Sequence, residues 1–138
     1  MRVAIICVSC FLWLWFLGCT CSWKFGKVLL VEGTGIRSIE FAALVVFTAS
    51  LGSFLLFASV GKWILFGTLA LWLVVQFFCH EYFTIFGVSE RKLRGYNECF
   101  TGTVRLFPMS QTRLIPDLYH IVLHILILAD LLLVLLGG

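Results

Sequence analysis

The sequence predicts an all-α integral membrane protein, with four transmembrane helices and one amphipathic interfacial helix between the third and fourth. Three observations predict it. Of 138 residues, 62% are apolar and only 12% charged, about half the charged share of a soluble domain. The apolar residues come in long uninterrupted blocks, without the periodicity of half-buried strands or helices. The blocks have the length, about 20 residues, that a helix needs to cross a bilayer. A chain this short makes one domain.

The first block runs from Val3 to Trp23 behind Arg2. A secretory leader would place its apolar region over Val3 to Leu17, with Phe16-Leu17-Gly18-Cys19 as a cleavage box. The block exceeds the roughly 7–15 apolar residues of such leaders, so the first span is expected at residues 3–23. Lys24 to Glu40 reads as a connecting loop. In it, Gly33-Thr34-Gly35 is a turn signal, and Val28 to Val31 is too short to span. The second span is expected at 41–61, where Ala49, Gly52 and Ser53 put small residues at a spacing that lets helices approach closely in lipid. Only Lys62 separates it from the third span, expected at 63–84, so these two must form an antiparallel hairpin. Trp63 then falls where an interfacial aromatic belongs.

Val88 to Asp117 is polar. Leu93, Tyr96, Phe100, Val104 and Phe107 recur at spacings of three and four, which makes one stripe of a helix. Ser89 is a candidate N-cap, Glu90 and Arg94 are placed to pair, and Pro108 ends the run. An amphipathic helix over 89–107, lying along the membrane surface, is therefore expected. The last span is expected at 118–136.

Counting basic residues orients the chain. Arg2 and Lys62 fall on one side of the four spans. Lys24, Lys27, Arg37, Arg91, Lys92, Arg94, Arg105 and Arg113 fall on the other. Lys and Arg accumulate in cytoplasmic loops, so both termini are expected outside and both long loops in the cytoplasm. This also argues against leader cleavage, which would turn the loop carrying Lys24, Lys27 and Arg37 outward. Short loops and the lack of a glycosylation sequon fit a multi-pass protein of a bacterial plasma membrane.

The candidate site follows from this placement. His120 and His124 share a helix face, with Asp117 near both. On the preceding span Gln76 and His80 share a face, extended by Thr68 and Trp72, with Glu81 beside them. All three histidines are expected at similar depth near the cytoplasmic boundary. Imidazoles and carboxylates are the common ligands of zinc, iron and copper, which makes His80, Glu81, His120 and His124 the candidate metal ligands. No complete ligand motif such as His-Glu-x-x-His accompanies them, and interfacial histidines bonded to water or to each other are the alternative. Gln76 and Asp130 are the intramembrane polar residues. Asp130 lies about 18 Å along the last span from Leu118. An aspartate at that depth must find a partner or a water-filled cavity, and the serines and threonine of Phe41 to Gly61 are the expected partners.

Cys7-Val-Ser-Cys10 resembles the motif of four-helix membrane thiol oxidoreductases that pass electrons to quinone. That activity needs a second cysteine pair on the same membrane face, whereas Cys79 and Cys99 are expected on the opposite one. Cys19 and Cys21, beside Lys24, are placed for acylation in a suitable host. The chain has no glycine-rich phosphate loop, no recognisable nucleophile–base motif and no internal repeat. Its basic residues border apolar spans, which argues against nucleic-acid binding. No cofactor is named by these residues. The leading expectation is a non-catalytic subunit or adaptor acting within the bilayer through a membrane-protein partner or a second copy of itself. The alternatives are a membrane metalloprotein or redox enzyme built on the histidines, and a proton-coupled or oligomeric transport element with Asp130 in its pathway.

Overall fold

The computed structural model describes residues 1–137. In chain order it has α1 (Arg2–Cys21), a hairpin of β1 (Trp23–Phe25) and β2 (Val28–Val31), α2 (Ile39–Leu56) and α3 (Ala58–Gln76). A π-helical turn (Phe77–Glu81) leads into α4 (Tyr82–Phe86), followed by α5 (Glu90–Cys99) and α6 (Leu118–Leu136). Four helices are long and apolar enough to cross a membrane: α1, α2, the continuous run Ala58–Phe86, and α6.

These four pack as an antiparallel bundle, α2 on α3, α3 on α6, α6 on α1 and α1 on α2, the arrangement that short connections favour. The core is apolar along its length and includes Leu12, Phe16, Phe47, Leu65, Leu69, Leu123 and Ile127. Trp72 sets its edge against Phe16 and Phe47, with ring centroids 4.3 and 5.4 Å away. The outward faces are also apolar, with Phe11, Leu14, Val45, Val46, Leu71, Leu128 and Leu132 exposed. Where lipid is as apolar as the core, association rests on close packing and interhelical hydrogen bonds. Such bonds join Trp13 to Thr48 at 2.8 Å and Ser50 to Thr68 at 2.7 Å.

Four expectations are corrected. The hairpin between the second and third spans turns at Phe57, not at Lys62, and Ala58–Lys62 already belong to α3. The cause is Gly61. A side chain there would run into the backbone of Ser53 and Phe54, so only glycine lets the first turn of α3 lie against the end of α2. Of the small residues of α2, Ser53 meets α3 at the turn, while Gly52 faces open space. The loop after α1 is not irregular throughout, because Trp23–Phe25 and Val28–Val31 pair antiparallel across Gly26-Lys27. The fold is mostly helical, as expected, with one small hairpin added. The amphipathic helix stops at Cys99 instead of residue 107. The Thr101 hydroxyl bonds back to the Asn97 carbonyl at 2.9 Å, and Gly102 takes φ 84, a left-handed conformation that ends a helix. Finally, Asp130 pairs with α1 rather than α2: Ser9 Oγ donates to Asp130 Oδ2 at 2.7 Å.

The bundle has two unlike ends. The plain end holds Met1, the Phe57 turn and the C-terminus of α6, and Arg2 there donates to the Leu55 carbonyl at 2.9 Å. The polar end holds the β-hairpin, the wide turn, α5 and the start of α6. Arg2 and Lys62 lie toward the plain end and the other eight basic residues belong to the polar end.

Candidate functional site

The polar end gathers the histidines. The π turn over Phe77–Glu81 widens the helix by one residue, a distortion often found at functional positions. It leaves Phe78 and Cys79 facing outward while His80 is buried. Thr84 anchors the segment by donating to the Leu114 carbonyl at 2.7 Å. Asp117 starts α6: its side chain accepts from the backbone N–H of His120 at 3.0 Å and meets His120 Nδ1 at 2.7 Å. One carboxylate thus caps the helix and fixes the orientation of the His120 ring.

The three imidazoles lie in one nest. The His80 ring centroid is 4.6 Å from that of His120 and 5.8 Å from that of His124. His80 Nδ1 bonds the Tyr96 hydroxyl at 2.9 Å. Phe100 lies edge to face with His120 at 5.1 Å and packs on Tyr96 at 4.5 Å. His124 Nδ1 is 2.9 Å from Glu81 Oε1, but out of line, so that neither ring nitrogen of His124 makes a hydrogen bond. Glu81 Oε2 and Asp117 Oδ2 are also buried without partners. Below the nest Tyr119 donates to the Trp15 carbonyl at 2.5 Å, and Trp15 Nε1 donates to the Tyr119 carbonyl at 3.1 Å.

Outside the spans, two groups are shifted. Burial alone raises the Asp117 carboxyl, but its hydrogen bonds with His120 and the nearby imidazole charge outweigh burial and hold it below the usual carboxylate range. Burial, reinforced by the negative charge of Asp117, pushes the Tyr96 hydroxyl upward, so it keeps its proton.

Of the predicted residues, the structure brings His80, Glu81, His120 and His124 together. Among the described residues no three His, Cys, Asp or Glu side chains are arranged to hold a metal ion. Gln76 lies nearby, lining a cavity of about 330 Å³ with His80 and His120. Its Oε1 is buried without a partner. Asp130 stands apart, ten residues along α6 from His120, about 15 Å along the axis, and it is fully buried. Sequence reasoning missed the role of Tyr96 and Phe100, which it assigned to an apolar stripe, and of Ser9, which sits among apolar residues without any pattern around it. Comparison with protein families, curated proteins and solved structures finds no match to this chain.

Proposed function

We propose that the chain is a non-catalytic subunit or adaptor of a cell membrane, working through contacts made within the bilayer. One observation carries this reading: two of the three histidines, the side chains best suited to chemistry, are bound by neighbouring side chains. His80 is engaged by Tyr96 and His120 by Asp117, and together they fasten α5 and the start of α6 to the third helix. In this reading the polar end is a clasp that holds a basic extramembrane surface in a fixed shape for a partner. The excess of basic residues at that end supports a cytoplasmic location for it, with both termini outside.

The test is extraction of the chain from its native membrane in mild detergent or polymer, followed by quantification of what accompanies it. The reading expects one membrane protein, or a second copy of this chain, in fixed ratio. A lone monomer from every extraction would contradict it. Labelling of Cys99, exposed on α5, from outside intact cells would reverse the orientation.

A further inference from the structure

The cavity beside the histidines opens sideways. It shares Ile39, Ala43, Trp72 and Val75 with an apolar groove of about 310 Å³ on the outer face between α2 and α3. Val46, Leu71 and Val75 of that groove are half exposed or more. In a membrane this side faces lipid, so a ligand that enters here arrives from the bilayer with an apolar part that can stay in the groove. Along α2 the groove runs from Ile39 to Val46, about 10 Å toward the middle of the bundle.

Inside the cavity the histidines leave an acceptor unused. His120 is only 8% exposed and lines the cavity. Asp117 Oδ1 accepts its backbone N–H at 3.0 Å and lies 2.7 Å from its Nδ1. That oxygen therefore acts as an acceptor and Nδ1 carries the ring proton, which leaves Nε2 of the neutral ring with a lone pair. The bonds of His120 to Asp117 run through the backbone and Nδ1, not Nε2. Unlike both ring nitrogens of His124, its Nε2 is not sealed off. His80 lines the same cavity, bonds Tyr96 through Nδ1, and also keeps an open Nε2. The other polar groups are already answered or shut away. Glu40 accepts from Thr34 at 3.0 Å, Cys19 donates to the Tyr119 hydroxyl at 3.3 Å, and Gln76 Oε1 is sealed off.

The cavity therefore asks for a group that donates to His120 Nε2. A carbonyl only accepts, and so does a carboxylate or phosphate, which would also meet Glu32 and Glu40. A hydroxyl donates and accepts, so it answers His120 and suits His80 in either tautomer. Phe16, Trp72 and Phe100 wall the cavity, and aromatic faces and edges favour a ring as the carrier of that hydroxyl. We propose that the cavity binds a lipophilic phenol, an aromatic hydroxyl with an apolar tail. The hydroxyl donates to His120 Nε2. The ring lies among the three aromatic side chains, and the tail leaves between Ile39 and Val75 into the α2–α3 groove. The inference does not depend on the subunit reading.

The experiment uses the full chain in lipid nanodiscs, with radiolabelled para-octylphenol as probe and empty nanodiscs as the control for partition. One saturable site per chain is expected. Octylbenzene, which lacks the hydroxyl, and octanol, which lacks the ring, should each compete about fivefold more weakly than unlabelled probe, the scale of one net hydrogen bond or one aromatic pair. His120→Phe keeps a ring against His80 and Phe100 but removes the acceptor, and is expected to bind the probe about fivefold more weakly. Val75→Trp fills the gap between cavity and groove and is expected to weaken binding at least as much. Helicity and elution volume establish that the variants are folded, and the comparison of ligands on the wild type decides without them. Uptake no greater than in empty nanodiscs would overturn the proposal. So would equal competition by octylbenzene or octanol, or wild-type affinity in either folded variant.

Discussion

Two polar sites are built into this bundle, and they meet the same physical demand differently. In the middle of the spans, Asp130 is enclosed between α6 and α1 and receives one hydrogen bond, from Ser9. At the polar end, Asp117 receives two bonds from one residue, His120, whose ring lies against His80 and meets Phe100 edge to face, and these in turn hold Tyr96 of α5. An unpartnered polar group in apolar surroundings is expensive in both places. The inner site has one partner on a neighbouring helix, and Asp130 Oδ1 is left buried without a hydrogen bond. The outer site is closed by recruiting a segment that would otherwise lie outside the bundle. A polar pair inside an apolar helical bundle can join two helices, whereas a polar nest at its end can also give shape to a loop.

The comparison is broken most severely at Asp117. Asp117→Ala removes the cap of α6 and the charged partner of His120, and is expected to cost about 2–3 kcal/mol of unfolding free energy in mixed micelles. A cost no larger than that of an exposed loop aspartate would mean that the nest is not fastened through this carboxylate. The same group gives a pH dependence. Its carboxyl is held below its ordinary range, so the stability it contributes is present above about pH 4, the ordinary carboxylate value. That stability is lost as pH falls through the lowered folded value. Thermal scans from neutral pH downward should therefore show the wild type losing more stability than Asp117→Asn, which keeps a capping oxygen but has no charge to lose. Parallel losses would contradict the shift.

The inner pair should give a smaller effect. Ser9→Ala leaves Asp130 without its partner and is expected to cost about 1 kcal/mol, the scale of interhelical hydrogen bonds measured in membranes. It should leave the polar end untouched, so a loosening of α5 in this variant would show that the two sites are coupled. The smallest effect is expected at His124, whose ring nitrogens are both without hydrogen bonds. His124→Leu removes buried atoms that make no hydrogen bond but also the imidazole 2.9 Å from Glu81 Oε1, so the two effects offset and the net change should stay within about 0.5 kcal/mol. Metal analysis of the purified protein should accompany it, because a near-stoichiometric ion lost in this variant would make the nest a metal centre instead of a clasp.

The four long apolar helices were legible because their signal is composition over about 20 residues, which no local detail disturbs. The histidine cluster was legible for a related reason: three histidines at one depth on two helices joined only by a surface segment have little room to miss one another. The turn at Phe57 was not. Lys62 is the charged residue in that region and marked the boundary, while the fold used the close approach that Gly61 permits. The length of α5 was misread because Val104 and Phe107 continue the apolar period, whereas Gly102 two positions earlier ends the helix. The β-hairpin was hidden by the brevity of its strands, although Gly26-Lys27 between two apolar runs is the signal that marks one. The partner of Asp130 could not be chosen from the sequence, because composition does not say which helices pack on the last one: α6 lies between α1 and α3, and the serines of α2 are not beside it.

The claim on which the account rests is that the histidine nest holds α5 against the bundle. Amide hydrogen exchange on the full chain in nanodiscs tests it directly, comparing wild type with His80→Ala. The account predicts that the amides of α5 exchange about tenfold faster in the variant, equivalent to about 1.4 kcal/mol of local opening, while those of α1, α2 and the middle of α6 are unchanged. Identical exchange of α5 in the two proteins would show that the segment is held by something other than the nest, and would contradict the account.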